Sequence, residues 1–558
     1  MAALSARWGW LAVLLAAVLV QSPHLIFGVA DPNMDFIAHL LWADQMAASV
    51  AAGDWYPRWV HASNYGLGAP ALLYYAPGYF WAVAVVDLLL DDLWLSIRTV
   101  ELLANLITAG FVFALLRTHR VAHHRAVLGA VAAVLAPVPF LVALHFNGLP
   151  WAISFAAFAG TAYALLHGER PFGRRADPWV AIGLAVLIVT HTLSGLLALI
   201  AFSGLWFLHL ATDRPHRHVH ALAWLRSWAI TVALALCLSA FYLLSAFASF
   251  ELANTGAWTE VYPPDRSFLF PLFTAPEHGM RWPIMQIWLP LLLLPVLIGA
   301  AVYLRRHHAG MSADRRLAIG GLLAVSAVAL FFGSELSHPL WMLDTPLRKL
   351  QFPFRFAYVL QLTTLLLLFL VCDHAARAGR GWAWWLNGIM LGLYLLVGAA
   401  LVLRMDFHDG QRLDIDALRS QPFHGIPEFR PANTTLAWRD WVSAGGLEQE
   451  CRTHGLTCAT DVQADRSKVW TLTNAGSGPV SVALDQFDFP TWRLTRDGEP
   501  VAHQRTDGTG LIMVEVPPGT HRYLATWEAL PVQRVGAWVS FGGLIWLVAM
   551  YARRARSA

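Results

Sequence analysis

The stretch 31–75, DPNMDFIAHLLWADQMAASVAAGDWYPRWVHASNYGLGAPALLYY, gathers ionisable and turn-forming residues into a chain that is otherwise mostly apolar. Asp31, Asp35, His39, Asp44, Asp54, Arg58 and His61 all fall within it, directly after the first apolar segment. In a helix beginning near Asn33, Asp35 and His39 are one turn apart and share a face, while Phe36, Leu40, Ala43 and Ala47 form a neighbouring apolar stripe. The pattern predicts an amphipathic helix lying at a membrane surface and ending at Gly53. Pro57, Gly66, Gly68 and Pro70 then predict a turn-rich loop carrying Trp55, Tyr56, Trp59 and Tyr65.

Outward from this stretch the composition sets the class. Hydrophobic residues make up 57% of the 558 and charged residues only 13%, against about 25% charged in soluble domains. The chain therefore reads as a polytopic membrane protein. A formal net charge of +3 gives no reason to expect nucleic-acid binding; what matters is which loops hold the arginines.

Runs long enough to cross a bilayer, about 20 residues each, fall at 8–29, 94–116, 126–145, 148–167, 178–192, 194–211, 227–248, 284–304, 317–333, 355–372, 382–403 and 535–552. That predicts about twelve spans, the first an uncleaved anchor. Residues 71–90 are also apolar enough to span. If they lie along the outer surface instead, the loops RTHRVAHHR, GERPFGRR, DRPHRH, RRHHAGMSADRR and ARAGR and the tail RRARSA all fall on the cytoplasmic side, as the positive-inside rule prefers. Pro77, Gly78 and Asp87 also favour a surface or re-entrant helix there.

The domain organisation that follows is a membrane domain over 1–403, with 30–93 as its first outer loop, an extracytoplasmic β-rich domain over 404–533, and a final span with a basic cytoplasmic tail over 534–558. In the hydrophilic domain, KVWTLTN, VSVALD and TWRLTRDGEPVA alternate as strands do, and Asp497-Gly498 marks a hairpin turn. A small β-sandwich is predicted, with a Cys451–Cys458 disulfide if the domain faces an oxidising compartment.

Candidate site residues lie on the side that holds Asp35. A carboxylate just outside the first span is placed to accept a proton from a substrate hydroxyl beside a lipid-linked donor; Asp35 is the first candidate, Asp31 the second, and His39 is placed to orient the carboxylate or touch a phosphate. Arg58 in GDWYPRW and Arg355 in LQFPFRF are cations among aromatics at the membrane edge, suited to holding a lipid phosphate. Lys349 and His191 are further candidates for substrate contact, and Tyr74 and Tyr75 for stacking on a sugar face. A divalent metal held by Asp31, Asp35 and His39 matches no specific spacing signature. P-loop, GxGxxG, HExxH and GxSxG motifs are absent from the sequence, so activated groups would come from the lipid phase or the outer compartment.

The series D-x-x-x-H after the first span, GDWYPRW, YGLGAP with YYAP, LQFPFRF, IPEFRP, WRLTRDGEPV and VPPGTHR resembles bacterial membrane proteins named after pyruvoyl-tetrahydropterin synthase, and with them the C-type glycosyltransferases. The resemblance implies a mainly α, polytopic helix bundle of C-type glycosyltransferase fold with a C-terminal extracytoplasmic β-sandwich, in a bacterial inner membrane with its site facing the periplasm. It also implies a polyprenyl-phosphate sugar donor, a glycan, lipid or protein acceptor, and a catalytic carboxylate in the first outer loop, mapping to Asp35 with Asp31 as the fallback. The sequence departs from the family pattern in having no adjacent Asp-Glu or Asp-Asp pair after the first span. The expected activity is inverting sugar transfer. Two other readings stay open: a transporter or flippase for lipid-linked glycans, and a non-catalytic envelope assembly protein. A transporter would need charges deep in the spans, where Arg98 and Glu101 stand one turn apart.

Overall fold

The computed structural model describes residues 2–28, 34–144, 146–167, 176–212, 217–254, 264–271, 284–405, 423, 425–432, 434–462 and 468–555. The fold is mainly helical, with a β-domain near the C-terminus. Among the described residues nine helices are long and apolar enough to cross a membrane, or ten if Leu222–Leu238 and Ala240–Ala248, bent by 80°, form one span. Among the described residues all twelve predicted stretches fall mainly on helices. Two of them, however, fall on the shorter apolar helices Pro178–Thr190 and Thr192–Leu205. The first has 13 residues, roughly 20 Å at 1.5 Å per residue, and a hydrocarbon core is about 30 Å thick.

Residues 71–90 break at Tyr75–Pro77 into Ala71–Tyr74 and the 13-residue helix Gly78–Leu90, neither long enough to span. The helix Met34–Ala51 forms as predicted and stops before Gly53, whose φ of +93° takes the chain out of helix. Its setting differs from the expectation. It is not an open surface helix: Phe36, Leu41, Trp42, Asp44, Gln45 and Met46 are all buried. It packs against Gly78–Leu90 and lies under the C-terminal domain, with Trp42 meeting Phe429 at 5.4 Å between ring centres.

That domain is a two-sheet β-structure. Its strands are β1 (Leu456–Val462), β2 (Lys468–Asn474), β3 (Val480–Phe487), β4 (Trp492–Arg496), β5 (Glu499–Pro500), β6 (Gln504–Arg505), β7 (Leu511–Val516) and β8 (Gly519–Trp527). They make an antiparallel five-stranded sheet of order β1-β2-β8-β4-β5 and a three-stranded one of order β3-β7-β6. Asp497 and Gly498, both at positive φ (+54° and +91°), close the predicted hairpin between β4 and β5, as in the two-residue turn whose central residues are both left-handed and whose twist matches the strands. Cys451 and Cys458 are joined as predicted, tying the helix Gly446–Thr453 to β1. The first loop is pinned to this domain by Arg430 Nε donating to Asn64 Oδ1 at 2.8 Å, by Phe487 N–H donating to Leu67 O at 2.9 Å, and by Trp59 packed among Phe489, Trp492 and Trp527.

At the other end of the bundle the basic loops meet. Asp373, fully buried, accepts from Arg125 (3.1 Å), Arg315 (3.1 Å), Arg377 (2.8 Å) and the Ala122 N–H (3.0 Å), so one carboxylate ties three helices together. It lies near the C-terminus of the helix Ala357–Arg377, roughly 25 Å along that helix from its start.

Candidate active site

A cavity of about 480 Å³ opens where the helix Met34–Ala51, the break at Tyr75, the junction at His191, the turns before Ala357 and the turn Pro427–Phe429 converge. Helical spacing sets one wall: Asp35, His39 and Trp42 follow one another at four and three residues and so face the same way. Asp35 is exposed at the mouth, while His39 is buried.

Hydrogen bonds fix the roles of the rings. His39 Nδ1 lies 3.3 Å from Asn147 O, which can only accept, so Nδ1 carries the proton and Nε2 accepts from the Tyr75 hydroxyl at 3.1 Å. Burial lowers the His39 pKa against the opposing pull of the Asp35 charge, and the ring is therefore a neutral brace for Tyr75. Burial also raises the Tyr75 pKa, with Asp35 adding to the shift, which keeps its phenol protonated. His191 Nδ1 accepts from the Ser194 N–H (3.3 Å) and meets Ser194 Oγ at 2.8 Å, and its ring stacks 6.3 Å from Trp151. Tyr74 lines the cavity with its ring, but its hydroxyl donates to Ser249 O at 2.7 Å.

Two cations face the same space. Arg355 sits on the turn Pro353–Phe356, where Pro353 starts the turn and the helix Ala357–Arg377 follows directly. Its guanidinium lies over Phe352 (4.8 Å) and Trp151 (5.3 Å), and Nη1 donates to Leu350 O at 2.5 Å. Lys349 lies half-buried on the preceding turn. Among the described residues neither cation has a carboxylate within ion-pair distance. Beyond them the lining turns apolar: Leu193, Leu196 and Leu199 on one helix face Leu236, Leu243 and Phe247 on the bent pair. This lane runs for roughly 9 Å of helix length.

The cavity thus unites Asp35, His39, Tyr74 and Tyr75 with His191, Lys349 and Arg355. Asp31 lies outside the described residues. Arg58 does not line the cavity: the Tyr56-Pro57-Arg58 turn is layered into the first loop, and its guanidinium sits over the Tyr56 ring at 3.0 Å, buried enough to lower its pKa. Trp59 is core, 3% exposed. Arg98 and Glu101 bind each other at 2.8 Å inside their span and also lie off this cavity. Among the described residues no cluster of three or more His, Cys, Asp or Glu is placed to hold a metal ion.

Glu428, in IPEFRP, was not singled out by sequence reasoning. The turn Pro427–Phe429 returns it from the hydrophilic domain to the cavity, where burial first, and then the charge of Asp35, raise its pKa to about 7. An acidic residue just after a proline in a polar segment resembles any surface turn, and nothing local tells it from one.

No family model and no curated protein matches the chain, so the family resemblance read from its motifs has no such match behind it. Among solved structures it is similar to arabinofuranosyltransferase AftD from Mycobacteria, at 14% identity and TM-score 0.45, over 94% of this chain and 40% of that one. It is also similar to ArnT from Cupriavidus metallidurans in the apo state (17% identity, TM-score 0.28, 66% of this chain and 78% of that one) and bound to undecaprenyl phosphate (17%, 0.29, 65% and 78%). The chain spans 40% of the length of the AftD chain.

Proposed function

We propose that this integral membrane protein is a glycosyltransferase that moves a sugar from a polyprenyl-phosphate donor to an acceptor entering from the side of the β-domain. The supporting observation is one cavity that joins the Asp35 carboxylate, the cations Lys349 and Arg355, which have no acidic partner among the described residues, and an apolar lane between helices. A polyprenyl phosphate sugar has the matching parts: a chain for the lane, a phosphate for the cations, and a sugar that extends toward Asp35. The acceptor hydroxyl gives its proton to Asp35 as its oxygen bonds to the anomeric carbon. The carbon–oxygen bond to phosphate breaks with its electron pair, and the polyprenyl phosphate leaves against Arg355 and Lys349. One displacement with no covalent intermediate inverts the anomeric carbon. His39 acts through Tyr75, holding that hydroxyl at the cavity wall. Arg58 has no part in this scheme. In the positive-inside arrangement the Asp373 end lies in the cytoplasm, and the cavity and β-domain lie outside.

The test is transfer from a synthetic polyprenyl-phosphate sugar to candidate acceptors by purified protein. Asp35→Asn should lower the rate by about 10²–10⁴ with donor binding nearly unchanged. Arg355→Ala should instead weaken donor binding, by about 1.5–3 kcal/mol for a lost charge-assisted contact. Full transfer by a folded Asp35→Asn variant would move the base elsewhere. If Asp31→Asn were equally active, the transporter reading would replace this one.

A further inference from the structure

A second cavity, of about 310 Å³, shares no lining residue with the first and lies between the helices Leu289–His307, Ala357–Arg377 and Trp382–Leu403. It runs from Leu292 to Tyr303 along the first helix, roughly 16 Å at 1.5 Å per residue, which is the depth of one leaflet in a core of about 30 Å. Its hydroxyl groups are already engaged: Thr364 Oγ1 donates to Leu360 O (2.6 Å), the Tyr394 hydroxyl accepts from Gln361 Nε2 (2.5 Å), and the Tyr303 hydroxyl meets His374 Nδ1 (2.9 Å). Whatever fills this length is apolar. Leu386 and Ile389, which line it, are 40% and 53% exposed, so the groove opens sideways from the bundle. The backbone is bare at Gly299, where an added Cβ would meet nothing within 4 Å.

The chemistry changes at one end. Tyr303, Cys372 and Trp382 close the groove beside the basic loops, and the Arg380 guanidinium lies 5.7 Å from the Tyr303 ring and 2.9 Å from His307 Nε2. Arg donates there, so His307 accepts as a neutral ring and offers Arg380 no countercharge. The buried carboxylate one helix end away, Asp373, is already shared among Arg125, Arg315 and Arg377. Among the described residues Arg305, Arg306 and Arg380 have no acidic partner. An apolar slot of one leaflet's depth that ends at an uncompensated guanidinium is complementary to a lipid with an anionic head.

We propose that this groove is a binding site for an anionic phospholipid, one acyl chain lying between the three helices and the phosphate held by Arg380. The site is separate from the Asp35 cavity and does not depend on the glycosyltransferase reading. The test is native mass spectrometry of the purified full chain offered equal amounts of dioleoyl phosphatidylglycerol and dioleoyl phosphatidylcholine. Wild type should retain the anionic lipid by roughly tenfold or more, the scale of a charge-assisted contact. Arg380→Gln should bring the two lipids to near parity while still retaining lipid. Gly299→Phe, which fills the groove and leaves Arg380 in place, should reduce retention of both. Equal retention of the two lipids by wild type would overturn the proposal whatever the variants do, and so would an unchanged preference in folded Arg380→Gln. Unchanged retention in Gly299→Phe would place the lipid on the surrounding bundle surface instead.

Discussion

Glu428→Gln should make the folded protein less sensitive to rising pH. Glu428 stands mostly buried at the cavity wall, and its pKa is raised from 4.5 to about 7, chiefly by burial, with Asp35 adding to the shift and Arg430 and a backbone N–H opposing it. The folded state therefore holds this proton more tightly than the unfolded chain. Its contribution to stability is fully present below pH 4.5, declines as pH rises toward 7, and is lost above that. One pKa unit corresponds to 1.36 kcal/mol, so the full loss would be roughly 3 kcal/mol; residual exposure of the side chain reduces the expected value to about 1–3 kcal/mol. Gln keeps the size and hydrogen-bonding capacity and never ionises. Thermal unfolding in detergent, followed by the fluorescence of the 26 tryptophans, should show the variant level with wild type near pH 4 and more stable by pH 8. Parallel pH profiles for the two proteins would refute the reasoning. A variant that became the less stable of the two at pH 8 would mean that Glu428 is ionised and paired, with Arg430, whose charge already favours its ionised form, as the candidate partner.

Asp373→Ala should destabilise the protein by about 3–5 kcal/mol, because it leaves Arg125 and Arg315 buried without a countercharge; a change in unfolding temperature no larger than that of Arg377→Ala, whose side chain is half exposed, would contradict this. Gly68→Ala should cost at least ~2 kcal/mol, since φ is +83° and a Cβ there overlaps the Trp59 indole. Gly53→Ala, at φ +93° with nothing within 4 Å, should cost only the backbone penalty of about 1–2 kcal/mol, and equal costs at the two positions would show that the indole is free to move. Replacing Cys451 and Cys458 by Ser together should cost about 2 kcal/mol for so short a bridged loop, read as faster proteolysis near β1. Unchanged cleavage would mean that neighbouring contacts hold the helix Gly446–Thr453 without the bridge.

What the sequence discloses here depends on how local the cause is. Span positions follow from unbroken apolar length, and among the described residues all twelve stretches fall mainly on helices. The Asp497-Gly498 hairpin follows from two residues that tolerate positive φ, and the Cys451–Cys458 pairing from a short polar loop in the hydrophilic region. Asp35 and His39 share a wall because four residues is one helical turn. Contacts across long separations left no such trace. Asn64 meets Arg430, and Trp42 meets Phe429, through the docking of a whole domain. The amphipathic pattern of Met34–Ala51 is therefore compatible both with an open membrane surface and with the covered position it occupies. The sequence around Arg58 is ambiguous for a related reason: a cation among aromatics fits a phosphate site, and it fits equally the stacking on Tyr56, two residues earlier, that the structure shows.

The same long-range contacts bear on the role of the β-domain. A detachable carbohydrate-binding module would meet the membrane domain through a modest polar interface with its own core closed off. Here one continuous hydrophobic cluster includes Trp42, Leu67 and Tyr79 of the first loop together with Trp470, Leu484 and Tyr523 of the sheets. Lys468, at the start of β2, reaches across to Gly66 O as well as to Asp485. Taking the domain away would bare Trp42 and Trp59, now 2% and 3% exposed, and would leave Asn64 without Arg430. It would also remove Ile426, Glu428 and Phe429 from the cavity wall. The Asp35 helix is held in place by the domain above it as much as by the spans below, so the β-domain is part of the framework that builds the cavity.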